Sequence, residues 1–309
     1  MAKSAFLKSS IAKKYWMALT GLFLCLFLVG HLLGNLQLLA GRSTEAALQF
    51  NKYALFMTSN PAVKVLSYLT YLSILFHAID GILLTIQNKK ARPVAYAKKD
   101  DAASSNFSSR NMAVLGTLIL VFLATHMVNF WAKMHFDKKM PLQMISAENM
   151  GQKVNFIVST NNGLAGNDAF LGKFIPESAI DGKYYFIEGN VVYLQREFKD
   201  VNDGNKLKKE KIKIAEGYKD LHKITVDFFK SKGKLFNVIP NEGLVFTIFY
   251  VFAMLVLGFH LWHGFQSAFQ SLGVNNKFTP AIKLFGKAFS VLVPLLFAVI
   301  PVYIHFILK

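Results

Sequence analysis

The chain has 309 residues, 53% of them hydrophobic, a formal net charge of +17 and a single cysteine, Cys25. Long apolar runs almost free of charge exclude an ordinary soluble domain and read as transmembrane helices. The basic residues sit at the ends of those runs, which points to membrane lipid and away from nucleic acid. One cysteine excludes a disulfide framework, a cysteine-ligated iron–sulfur cluster on this chain and the CxxCH attachment of c-type haem.

The first apolar run is Tyr15–Ala40, preceded by Lys3, Lys8, Lys13 and Lys14. It is about twice the length of a signal-peptide core, and His31 interrupts it, so a retained first helix is expected. Residues 44–60 are mildly amphipathic and predict a short helix lying in the interface. Pro61 suits the start of a second span over about Ala62–Gln87. A polar, basic loop then leads to a third span, about Asn111–Trp131. The fourth covers roughly Gly243–Gln266 and the fifth Ala288–Leu308, with Pro294 and Pro301 as expected kinks.

Residues 133–240 differ in kind. They hold 18 of the 35 Lys and Arg residues and 13 of the 18 Asp and Glu residues. Tyr184–Glu188 and Val191–Phe198, joined by Gly189-Asn190, predict a β-hairpin. Lys211–Ala215 suggests a further strand, and Lys219–Lys232 a helix leading back to the membrane. The expected fold is an all-α membrane protein, a five-transmembrane-helix bundle. A polar, partly β insertion at 133–240 separates helices one to three (1–132) from helices four and five (241–309).

Orientation follows from the basic residues of the short loops, since long domains cross the membrane regardless of charge. With the N-terminus inside, the inner segments hold 13 basic residues and the outer short segments four: Arg42, Lys52, Lys64 and Lys309. The expected arrangement has a cytoplasmic N-terminus, with residues 133–240 and the C-terminus extracytoplasmic.

Each of the first four spans carries a deep histidine, which is costly in hydrocarbon and is a functional hypothesis by default. Helical rise converts position to depth. His31 lies roughly 25 Å and His126 roughly 22 Å from the inner ends of spans one and three. His77 and His260 lie roughly 22 and 27 Å from the outer ends of spans two and four. The four therefore sort into an outer pair, His31 and His126, and an inner pair, His77 and His260. Two b haems, each held by two histidines and stacked across the bilayer, require that arrangement. Gly34, Gly81 and Gly264 follow His31, His77 and His260 on about the same helical faces. They leave room for a flat macrocycle, or serve simply as helix-packing glycines. His263 competes with His260 for the same role; it also suits a hydrogen bond to a propionate or quinone oxygen, or plain packing. His305 reads as a satisfied interfacial histidine, and His135 and His222 as ordinary surface residues.

The motifs GHLLGN (Gly30–Asn35), FNKYALFMTSNP (Phe50–Pro61), FHAIDG (Phe76–Gly81), SSRNM (Ser108–Met112), ATHMVNF (Ala124–Phe130) and FHLWHGFQSAFQSLG (Phe259–Gly273) carry a family resemblance. The chain resembles the cytochrome b membrane-anchor subunit of succinate dehydrogenase and fumarate reductase, the five-helix dihaem type of the bacterial cytoplasmic membrane. The resemblance covers essentially everything except 133–240. It implies two haem b groups, the outer held by His31 and His126 and the inner by His77 and His260, with His263 outside the ligand set. It also implies flavoprotein and iron–sulfur partners on the cytoplasmic side. Electrons then pass from the iron–sulfur subunit through the two haems to a quinone, usually menaquinone, and no dicarboxylate chemistry falls to this chain. Where some members carry a glutamate shortly before the fourth ligand, this chain has Val256-Leu257-Gly258, so that proton route is unsupported. The oligomeric state of such a complex is left open.

Asn35, Gln37, Asn129 and Trp131 lie near the outer histidines and are candidates to line a quinone pocket, where carbonyls need donors inside an apolar cleft. Asp80 has Lys89, Arg92 or water as expected partners. Arg92, Arg110, Gln266, Ser267 and Ser271 face the inner boundary and suit haem propionates, the iron–sulfur partner or lipid headgroups. Competing functions are the cytochrome b anchor of a hydrogenase or formate dehydrogenase, a transporter using intramembrane histidines, and an anchored interaction protein.

Overall fold

The computed structural model describes residues 9–91, 107–137, 140–146, 155–157, 185–188, 191–200, 204 and 206–309. Five helices are long and apolar enough to cross a membrane: Ile11–Ala40, Pro61–Ala91, Met112–Phe136, Glu242–Ser271 and Thr279–Ile307. The fifth starts nine residues before its expected boundary. Hydropathy breaks off at Lys283 and Lys287, whereas a helix continues past lysines whose stems lie along it while their ammonium groups reach water.

Two helix starts follow directly from sequence. Asn60 Oδ1 accepts hydrogen bonds from the Ala62 and Val63 amides, with Pro61 at the first helical position. Asn241 takes a left-handed conformation (φ 57°) and accepts from the Leu244 amide. Within the spans, hydroxyls bond back to carbonyls of the preceding turn: Ser67 to Val63, Thr70 to Leu66, Thr85 to Gly81, Thr117 to Ala113 and Thr247 to Gly243. In lipid such groups have no water to turn to, so this local satisfaction is what lets them sit there.

The chain divides into two compact units, and the division falls inside the third span, between Thr125 and His126. The first unit holds the remaining spans. The first, fourth and fifth share an apolar cluster of Cys25, Leu32, Leu261, Phe265, Phe289 and Val293. The fourth and fifth approach closely through two glycines. A Cβ on Gly258 would stand 3.1 Å from the Ser290 carbonyl oxygen, and one on Gly286 would stand 2.6 Å from Phe265 Cδ1. Small residues let helix backbones meet in this way where no hydrophobic drive exists between helices. The fifth span runs through Pro294, and after Pro301 it widens into a π turn, Tyr303–Ile307.

The second unit holds the interfacial helix Thr44–Ser59 and a five-stranded antiparallel sheet of order β2-β1-β5-β4-β3. Its strands are β1 Leu142–Ser146, β2 Asn155–Ile157, β3 Tyr185–Glu188, β4 Val191–Asp200 and β5 Lys206–Lys219. Glu188 pairs with Val191, as the expected hairpin requires, although Gly189 and Asn190 lie outside the described residues. The register of β4 and β5 sets Arg196 opposite Glu210 and Glu197 opposite Lys209. A helix follows at Leu221–Lys230.

The unit is joined by a buried polar hub. Asn51, 1% exposed, donates from Nδ2 to Gln143 Oε1 and Asp220 Oδ1, both at 2.8 Å. Its Oδ1 accepts from the His222 amide at 3.0 Å. Gln143 in turn donates to the Thr44 carbonyl. His222 is not the surface residue expected. It is 4% exposed, with its ring 3.0 Å from the Gly41 carbonyl and edge-on to Phe50. Burial pushes its pKa down from the ordinary 6.5, while the Gly41 carbonyl and Asp220 pull the other way. Because the folded value lies below the unfolded one, the neutral ring contributes stability above about pH 6.5 that is lost as the pH falls toward the folded value. Acidification from pH 7 to 5 should therefore lower the protection of amides in residues 44–59, measured as hydrogen exchange relative to the intrinsic rate at each pH, and His222→Gln should flatten that dependence. Asn51→Ala, which strands several buried partners, should cost on the order of 3 kcal/mol in the same exchange measurement at pH 7.

Candidate functional site

The deep histidines of the second and fourth spans meet. The His77 and His260 rings lie with centres 6.2 Å apart and planes at 68°. An ion held about 2 Å from one nitrogen of each imidazole leaves the ring centres about 6 Å apart. Direct edge-on packing of two rings gives a similar spacing, so polar satisfaction has to separate the two readings.

Thr20 of the first span decides the state of His77. Its hydroxyl lies 2.7 Å from the Trp16 carbonyl and 3.2 Å from His77 Nδ1. A hydroxyl has one proton. Given to the nearer carbonyl, it leaves the oxygen to accept from His77 Nδ1–H. That tautomer, assigned from the network, keeps the Nε2 lone pair available, which is how neighbouring groups set a ligating histidine. His260 has no such support. Its Nδ1 is buried with no hydrogen-bond partner among the described residues, a cost that packing alone does not explain.

Glycines from the two other helices lie against the pair. A Cβ on Gly21 would stand 3.2 Å from His77 Cε1, and one on Gly116 would stand 3.8 Å from His260 Cε1. Of the glycines singled out in sequence, Gly81 faces the Met17 methyl at 3.7 Å and Gly264 the Met112 methyl at 3.9 Å; Gly34 is buried in the first span. Gly21 and Gly116 do not follow a histidine within a turn of their own helix, so the histidine–glycine pattern passes over them. The signal was depth: each lies roughly 8–9 Å from the inner end of its expected span, in the layer of the inner pair.

His31 stacks on Phe27 (5.3 Å, 15°) and lies tilted against Phe297 of the fifth span at 5.7 Å. Asn35 Nδ2 donates to the His31 carbonyl at 2.7 Å and lies 3.5 Å from its Nδ1, so this quinone candidate is engaged within its own helix. Gln37 opens a 3₁₀ turn. His126, in the second unit, packs against Phe130 at 5.3 Å and immediately precedes a π turn, Met127–Ala132. Such turns are rare and frequent at functional sites. This one contains Asn129 and Trp131. Asn129 Nδ2 is buried without a hydrogen-bond partner among the described residues, whereas Trp131 stacks on His135 at 4.6 Å and 28°.

His263 does not share the setting of His260. It lines a cavity of about 590 Å³ with Ser109, Gln266, Ser267, Lys283 and Lys287. Asp80 is half-buried, and Lys13 is the cation that acts on it; Arg92 lies outside the described residues. His305 is satisfied, its Nδ1 2.6 Å from the Phe229 carbonyl. Among the described residues, no group of three or more His, Cys, Asp or Glu side chains gathers as a metal-ion site. What the chain brings together is a pair.

No family model, curated protein or solved structure matches the chain.

The unequal satisfaction of these groups has a measurable consequence. Thr20→Val should destabilise the detergent-solubilised protein by about 0.5–1 kcal/mol, the usual worth of a hydrogen bond between membrane helices. Asn129→Leu removes a donor that already lacks a partner, so it should leave stability unchanged or raise it by about 1 kcal/mol. Unfolding titrations in mixed detergent micelles would measure both.

Proposed function

We propose that this chain is the dihaem cytochrome b subunit that anchors a succinate:quinone oxidoreductase to the membrane and links its catalytic subunits to the quinone pool. The observation that carries the reading is the His77–His260 pair, with ring centres 6.2 Å apart in the second and fourth spans. Two further features of the pair fit a haem. The His260 Nδ1 is buried without a hydrogen-bond partner among the described residues, and Gly21 lets the His77 ring pack where a Cβ would stand 3.2 Å from its Cε1.

In this reading His77 and His260 hold the inner b haem. Thr20 holds His77 in the tautomer that presents Nε2. Gly21 lets the His77 ring lie close against the first helix. His31 and His126 hold the outer haem; that assignment rests on their matched depths and on the motif resemblance. Phe27 and Phe297 pack His31, and Phe130 packs His126. The apolar spans exclude water from both pairs. Bound haem would supply one-electron carriage across the bilayer. Asn129 offers a buried amide donor to a quinone carbonyl, menaquinone in the family resembled. The basic inner loops suit cytoplasmic flavoprotein and iron–sulfur partners as well as lipid headgroups.

A reduced-minus-oxidised spectrum and a pyridine haemochrome assay on the purified protein should give two b haems per chain. His77→Ala and His260→Ala should each abolish one and the same spectral component, and His31→Ala and His126→Ala the other. His263→Ala should leave both in place. Absence of haem from the wild-type protein would sink the proposal. Co-purification of a flavoprotein and an iron–sulfur protein distinguishes succinate:quinone oxidoreductase from the anchor of a hydrogenase or formate dehydrogenase.

A further inference from the structure

The cavity that His263 lines opens between the fourth and fifth spans at the end nearest their connecting turn. His263, Gln266 and Gln270 supply one wall, Lys283 and Lys287 the other, and Ser109 closes it from the turn ahead of the third span. Residues 263, 266 and 270 share one helical face, and 283 and 287 are one turn apart. Among the described residues, no carboxylate lines the cavity. Its chemistry is therefore that of two ammonium groups surrounded by hydrogen-bonding side chains.

A second, almost wholly apolar trough of about 550 Å³ lies on the same two helices, lined by Val251, Leu255 and Phe259 on one side and Val291, Leu295 and Ala298 on the other. Trp262 lines both spaces, and the Lys287 ammonium sits 5.7 Å over its ring. From Trp262 to Val251 is eleven residues, or about 16 Å of helix. That is the depth of one leaflet in a hydrocarbon core of about 30 Å.

We infer that these joined spaces form a binding site for one anionic phospholipid, its phosphate between Lys283 and Lys287 and an acyl chain along the trough. Three observations select this occupant. Two cations with no lining acid among the described residues call for an anion, and basic pockets between transmembrane helices take acidic headgroups. The trough begins where the charge ends, at the indole of Trp262, a side chain suited to the boundary between headgroup and hydrocarbon. The apolar length is that of one leaflet. A quinone is neutral and leaves the lysines uncompensated. The inference needs only that the helices cross a membrane; it stands whether or not the chain carries haem.

The test is native mass spectrometry of the full chain, released from neutral detergent micelles after incubation with phosphatidylglycerol, with phosphatidylcholine or with inorganic phosphate. One phosphatidylglycerol should be retained in preference to phosphatidylcholine by about ten-fold or more. Lys283→Gln with Lys287→Gln should erase that preference, while Lys283→Arg with Lys287→Arg should keep it. Leu255→Trp, which fills the trough, should lower retention of both lipids several-fold. Equal retention of the two lipids, indifference to the glutamine pair, or displacement of the lipid by millimolar inorganic phosphate would each overturn the inference. So would a glutamine pair that alters haem absorbance and leaves lipid retention unchanged, since the lysines would then serve propionates.

Discussion

In hydrocarbon no water stands ready to satisfy a polar group, so each intramembrane imidazole must find its partner inside the protein or in something the protein binds. The layer of His77 and His260 is arranged around that constraint. Second-span His77 is served by a threonine on the first span. Fourth-span His260 keeps one buried nitrogen unserved among the described residues. Gly21 of the first span stands where a Cβ would come within 3.2 Å of the His77 ring, and Gly116 of the third lies at contact distance from the His260 ring. Four helices thus meet at two imidazoles, and each contributes either a ring or the space beside one. A core built only to pack would have no use for the unserved nitrogen, since replacing such a group by an apolar one is neutral or stabilising.

The same accounting closes outside the spans, with a different solution. Asn51, Gln143, Asp220 and His222 are all buried, and they satisfy one another and nearby backbone groups. The hub binds the helix after the first span to β1 and to the start of the helix that leads back to the membrane. It uses residues 51, 143 and 220–222, far apart in sequence, which gives the sheet a fixed attachment to the interfacial helix within this unit. A fully satisfied network of this kind specifies one arrangement more than it adds raw stability. FNKY, which as a motif suggested kinship, has here a structural role: Phe50 packs on His222 and Asn51 is the centre of the hub.

Much of the fold was legible because it depends on local rules. The five spans follow from hydropathy, the second span's start from Asn60-Pro61, and the hairpin from two β-rich runs with Gly-Asn between them. What escaped depends on partners distant in sequence. β1 and β2 carry no strong strand pattern and exist through pairing with each other and with β5. His222 sits in a charged, polar stretch and reads as exposed until Asn51 and Gly41, some 170 to 180 residues away, are brought to it. Depth arithmetic named His77 and His260 as a layer, because helical rise is regular. It could not name Thr20, whose role depends on the rotation of one helix against another.

That rotation also separates the two histidines of FHLWHG. Three residues turn a helix by about 300°, so His260 and His263 point roughly 60° apart. Over that angle the surroundings change from the His77 ring to a cavity bearing two lysines. The difference limits the work each ring can do. An imidazole lining that cavity has polar side chains and open space at hand, which suits it to hydrogen-bond an anionic or carbonyl oxygen. The His260 ring faces another imidazole, and its buried Nδ1 has no hydrogen-bond partner among the described residues. A ring so placed is suited to offer a lone pair rather than to join a polar network.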